Sequence, residues 1–103
     1  MPSGFYAKGM AFFIVQYVYA DNSDTARDQL RGDHRAYMRG LFEHHRLLAS
    51  GPWVDGQDGA LLVLPADSIE QVEQALDLDP FNVAGLVASR SIRQWDPVVG
   101  VFA

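Results

Sequence analysis

The side chain with the clearest chemical potential in this sequence is His34. Leu30, His34, Tyr37, Met38, Leu41, Phe42 and His45 recur at steps of three and four residues, the spacing of one helical face. That spacing puts an imidazole, which titrates near neutral pH, in the stripe expected to face the fold interior. A histidine held by a carboxylate is suited to general base work, because the acid fixes the ring tautomer and stabilises the protonated ring. The competing structural reading is a core histidine satisfied by a backbone carbonyl. Asp55, after the Gly51-Pro52 turn, is a candidate orienting carboxylate; it competes with a plain turn role, since Asp-Gly pairs are common turn formers, and Asp58 lies in the same loop. Asp79, directly ahead of Pro80, reads as structural, tying down the turn that Pro80 imposes. Arg31 precedes His34 by three residues, a helical neighbour placed to hold an anionic substrate oxygen. Tyr37 reads as core or pocket wall.

Other chemistries have little support. The chain has no cysteine, hence no thiol nucleophile or disulfide, and no serine pattern for nucleophilic catalysis accompanies His34. His44 and His45 are adjacent and diverge by about 100° on a helix, so they do not form the i, i+4 pair a metal favours. No metal site and no cofactor are expected, and neither a P-loop nor a Gly-x-Gly-x-x-Gly motif occurs.

The elements that must position these residues fit one domain. The chain has 103 residues, 49% hydrophobic and 20% charged, with a formal net charge of -5. That balance suits a globular core and argues against a phosphate-backbone surface, so no nucleic-acid partner is expected. Arg27, Arg31, Arg35 and Arg39 do recur every four residues, but with Asp24, Asp28 and Asp33 interleaved they read as a solvated helix face with ion pairs. The apolar run Ala11–Val15 is too short to span a bilayer, and no secretory signal opens the chain, so a cytoplasmic protein with no membrane partner is expected.

In chain order, residues 1–9 read as a flexible arm. Ala11–Ala20 is aromatic and β-branched on both faces, as in an interior strand. A helix is expected from about Thr25 to His45, followed by a strand that Gly51-Pro52 confines to an edge. The turn formers of 55–59 join it to Ala60–Leu64, a second run apolar on both faces. Ser68 and Gln71 form a capping-box signature for a helix whose apolar face is Ile69, Val72, Ala75 and Leu76. Asp79-Pro80 ends that helix, Asn82–Gly85 makes a turn, and Leu86–Trp95 is a final strand. The apolar tail 98–103 is expected to pack on its own domain or on a partner subunit. The order βαββαβ predicts an α+β, ferredoxin-like antiparallel sheet with two helices on one face. The other sheet face is then apolar and uncovered, which predicts a homodimer or higher homo-oligomer forming a dimeric α+β barrel.

Arg31-x-x-His34-x-x-Tyr37, Gly51-Pro52 with Asp55 and Gly59, Asp79-Pro80-Phe81 with Gly85, and Trp95, at these spacings from Met10 to about Pro97, resemble the YciI-like (YCII) family of small dimeric α+β barrel proteins. The resemblance implies a ferredoxin-like fold over 10–97, a dimer, and a pocket containing a histidine and an aspartate. Carried over, the histidine is His34 and the aspartate is Asp55; Arg31, Tyr37 and Pro52 are the expected substrate-binding positions beside them. The activity associated with the family is lyase-like removal of chloride from a hydroxylated aromatic ring. The expected function is thus a cofactor-independent lyase or isomerase acting on a small hydroxylated aromatic or dicarbonyl compound. The alternatives are a non-catalytic dimer that binds or senses a small-molecule ligand, and a purely structural assembly domain.

Overall fold

The computed structural model describes residues 10–103; the expected N-terminal arm lies outside the described residues. The elements are β1 (Ala11–Tyr19), α1 (Asp24–Glu43), β2 (Ala49–Pro52), β3 (Gly59–Ala66), α2 (Ile69–Asp77), α3 (Pro80–Val83) and β4 (Val87–Trp95). The strands form one antiparallel sheet in the order β2-β3-β1-β4. The interior strands are β1 and β3, the two runs apolar on both faces. Such runs need cover on both sides, which an edge position would deny them.

Alternation along the strands sorts the sheet faces. Phe13, Val15 and Tyr17 of β1 pair with Leu64, Leu62 and Ala60 of β3, and all six are buried with Tyr19 in one core. That core is closed from the helices by Met38 and Leu41 of α1, Val72, Ala75 and Leu76 of α2, and Phe81 of α3. By the same alternation the opposite face carries Phe12, Ile14, Val18, Leu61, Val63 and Trp95, but also Gln16 at the centre of β1 and Ser89, Ser91 and Arg93 along β4, so it is less uniformly apolar than the sequence pattern predicts. The C-terminal tail reaches this face through Phe102, whose ring lies 6.4 Å from that of Phe12 and 6.2 Å from that of Trp95.

Gly59 is fixed by the β1–β3 approach: a Cβ there would stand 2.0 Å from the Tyr17 carbonyl oxygen, so no larger residue fits without moving a central strand. α2 begins as its sequence predicts, with Ser68 Oγ accepting from the Gln71 N–H and Gln71 Oε1 accepting from the Asp67 N–H. Ile69, expected in its buried stripe, is 40% exposed.

α1 stops at Glu43, short of the expected His45. His45 adopts a positive φ of 58° and lies outside the helix, so it does not extend the His34 face. The turn expected over Asn82–Gly85 is partly taken up by the short helix α3, which includes Asn82 and Val83 and has Pro80 in its first turn, where a missing N–H costs nothing. Among the described residues, no helix is long and apolar enough to cross a membrane.

Candidate active site

α1 and α3 pack together, and this packing carries the site. His34 Nδ1 lies 2.7 Å from Asp79 Oδ1, and the imidazole stacks on the Phe81 ring at 4.1 Å between centroids and 2° between planes. Asp79 is fully buried, whereas the His34 side chain keeps 15% of its surface. The local fold holds the acid firmly. As N-cap of α3, Asp79 accepts from the Phe81 N–H on the same Oδ1 at 3.0 Å, and its Oδ2 accepts from the Tyr17 hydroxyl at 2.9 Å. Asn82 Nδ2 donates to the Tyr17 oxygen at 2.8 Å and to the Leu76 carbonyl at 2.9 Å, which locks that hydroxyl in place.

The surroundings decide the protonation pattern. Phe81 N–H and Tyr17 O–H are donors, so Asp79 must present acceptor oxygens to both. With Asp79 an acceptor, His34 Nδ1 carries the hydrogen of their shared bond, and Nε2 is left with the lone pair. Among the described residues Nε2 has no protein partner. His34 and Phe81 together line a cavity of about 510 Å³. Arg31, Met38, Phe42, Leu47, Pro52 and Leu62 also line it, so apolar, aromatic and cationic side chains border one cavity together with the imidazole.

The expected site residues are distributed unevenly. His34, Arg31 and Pro52 share the cavity. Asp55 does not meet His34 within this chain: it is exposed in the β2–β3 loop beside Gly56 at a φ of 70°, the place of a turn residue. Asp58, its competitor, is exposed and reaches Arg27 at 3.4 Å. The carboxylate against His34 is that of Asp79, which keeps the structural capping role expected of it and adds this second contact through the same oxygen. Tyr37 turns away from the cavity and donates to the Ala75 carbonyl at 2.5 Å, joining α1 to α2. Tyr17, Asn82 and Phe81 were not signalled as site residues. An inward-facing tyrosine at the centre of β1 was the available sign, since a buried hydroxyl needs a partner.

Arg27 corrects the reading of the arginine row as a solvated face. It is buried, with its guanidinium 4.3 Å from the centre of the Tyr19 ring and bonds to Ser23 Oγ and Asp24 Oδ1. The row advances about 40° per step around the helix, so its first member is buried while Arg35 and Arg39, still on the cavity side, are exposed to solvent.

Burial, and next the adjacent Asp79 charge, push the Tyr17 hydroxyl far above its ordinary pKa, and burial also raises Tyr19 and Tyr37. Below pH of about 10 a tyrosine is neutral in both folded and unfolded chains and adds no pH dependence. Above it the unfolded chain releases the Tyr17 proton and the fold retains it, so stability is lost as pH rises, by about 1.4 kcal/mol per pH unit from Tyr17. Urea midpoints measured between neutrality and about pH 11 should therefore fall steeply at the alkaline end, and Tyr17→Phe should flatten that fall. An equally steep fall in Tyr17→Phe would refute the assignment.

A four-stranded antiparallel sheet with helices on one face, and a buried aspartate paired with a cavity-lining histidine, define a ferredoxin-like α+β domain with a candidate acid–base site. The chain belongs to the YCII-related domain family, which it matches over residues 10–96. No curated protein sequence matches it. Among solved structures it is similar to the 5-chloro-2-hydroxyhydroquinone dehydrochlorinase TftG of Burkholderia phenoliruptrix, solved with 2,5-dihydroxybenzoquinone: 24% identity, 82% of this chain and 93% of that one, TM-score 0.74. It is also similar to a dimeric ferredoxin-like protein of unknown function from Bacteroides fragilis, at 16% identity over 88% of this chain and 99% of that one, TM-score 0.58. A NIPSNAP-like domain protein from Burkholderia xenovorans aligns at 11% identity over 89% and 88%, TM-score 0.56. At these identities the likeness concerns the fold.

Proposed function

We propose that this domain is a cofactor-independent lyase or isomerase that moves protons on a small hydroxylated aromatic or dicarbonyl compound, with His34 as base and Asp79 as its orienting carboxylate. The observation that carries this reading is the 2.7 Å contact of His34 Nδ1 with buried Asp79, which leaves Nε2 as the acceptor of a side chain that lines the cavity. The similarity to a dehydrochlorinase supports the lyase form. In that form, one hydroxyl proton of the ring substrate moves to the carbon bearing the halogen. His34 Nε2 takes a second hydroxyl proton, the oxygen's electron pair forms a carbonyl, and the halide leaves with the electrons of the breaking carbon–halogen bond. The net change is loss of hydrogen halide and formation of a quinone, with no external oxidant. Asp79 stabilises the imidazolium formed on the way.

We also propose that the working form is a homodimer closed through the sheet face that carries Phe12, Ile14, Val18 and Leu61, since these apolar side chains lie on the face without helices and a structural relative is described as dimeric. A cytoplasmic setting fits a cysteine-free chain.

The test is chloride release from 5-chloro-2-hydroxyhydroquinone, followed together with quinone absorbance. Release above the buffer rate, with quinone formed in step, is the expected result. A ring compound that binds and is recovered unchanged after long incubation would replace this reading with that of a metabolite-binding module.

A further inference from the structure

Two parallel rows of α1 line the cavity. One is His34, Met38 and Phe42; the other is Arg27, Arg31, Arg35 and Arg39. The cationic row is not evenly neutralised. Arg27 is met by Asp24 at 2.9 Å and by Asp58 at 3.4 Å, and Arg31 by Asp28 at 2.5 Å. Arg35 and Arg39 have no carboxylate partner among the described residues; Glu43, one turn beyond Arg39, is not within ion-pair distance. No aspartate or glutamate lines the cavity. A chain of net charge -5 thus keeps two uncompensated guanidinium groups at the cavity that holds its candidate base. Local fields of this sign draw small anions toward a site even on an acidic protein.

We infer that the natural ligand of this cavity is an organic anion: a ring or enol seated against His34, Phe81 and Met38, bearing a carboxylate that Arg35 and Arg39 hold. The planar fork of arginine suits a carboxylate, which it can grip with two parallel N–H donors. Arg31, already paired with Asp28, stands one turn before Arg35 and closes the same row toward His34. This inference names the substrate class of the proposed function and rests on the cavity being its substrate site.

Two probes that differ by a single carboxylate test it: 2,5-dihydroxybenzoate and hydroquinone, titrated calorimetrically and by the NMR signals of the His34 ring. The wild-type protein should bind the carboxylate probe about tenfold more tightly at low salt, with the preference shrinking as salt rises. The double variant R35Q/R39Q should lose that preference with hydroquinone affinity unchanged, R35K/R39K should restore part of it, and His34→Gln should leave it intact. Equal affinity for the two probes in the wild type, or a preference that survives in R35Q/R39Q, would overturn the anion assignment and leave the base in place. If neither probe disturbs the His34 signals, the cavity is not the substrate site and both readings fall together.

Discussion

Asp79→Ala should cost this domain about 4 kcal/mol of stability, a large share of the 5–15 kcal/mol that folded domains have to lose. The carboxylate gathers three donors in a place with no exposure: His34 Nδ1–H, the Phe81 N–H and the Tyr17 hydroxyl. Alanine removes their common acceptor at once. Each buried donor left unpaired costs about 1–3 kcal/mol, and the sum is reduced because the His34 ring reaches solvent and water can enter the vacated space. The damage would spread from there: the cap of α3 is lost, Phe81 is no longer pinned under the imidazole, and α1 loses its hold on α3. For a domain of this size the expected fall in Tm is about 20 °C. Asp79→Asn keeps an acceptor for the Phe81 N–H and should lose far less, about 1–2 kcal/mol. Urea denaturation of the two variants side by side checks this. Equal and small losses would mean that Asp79 matters to chemistry and not to the fold.

Most of the architecture was legible because it follows from local pattern. β1 and β3 are apolar on both faces, and only interior positions suit such strands; Ser68 and Gln71 announced the start of α2; Gly51-Pro52 confined β2 to an edge. The His34 position was legible too, as an imidazole in an apolar stripe. Its partner was not. Asp79 lies 45 residues from His34 in the chain, and its turn chemistry already accounted for it as a cap. Nothing local shows that one carboxylate oxygen serves both the Phe81 N–H and the His34 ring, which depends on how α3 folds down against α1. Asp55 was a candidate through the family resemblance and weighed evenly against a turn role, and within this chain it sits exposed in the β2–β3 loop, away from His34. The arginine row misled for a geometric reason: four-residue spacing keeps side chains near one another along a helix but rotates them steadily about its axis, so one row contains a buried arginine and two exposed ones.

His34→Gln is expected to lower turnover by about a thousandfold while leaving the fold in place, within the range usually lost with a general base. Glutamine can still donate an N–H toward Asp79 Oδ1, so the buried carboxylate keeps a donor and the contact of α1 with α3 survives. An amide cannot take up a proton at neutral pH, however, so the substrate hydroxyl loses its acceptor on the cavity side. Stability and catalysis therefore separate at this position, unlike at Asp79, where they are joined. Binding of 2,5-dihydroxybenzoquinone, a product-like ring, should change by no more than about threefold, because Met38, Leu47, Leu62 and Phe81 supply the apolar surface and the glutamine occupies similar volume. A fall in kcat at nearly constant affinity means that His34 acts in the transition state. Loss of affinity without loss of kcat would instead make the imidazole a binding wall, and unchanged turnover would end the case for His34 as a base. Asp79→Asn provides the cross-check: it retains the imidazole but removes the charge that stabilises the imidazolium, so its turnover should fall between those of the wild type and His34→Gln.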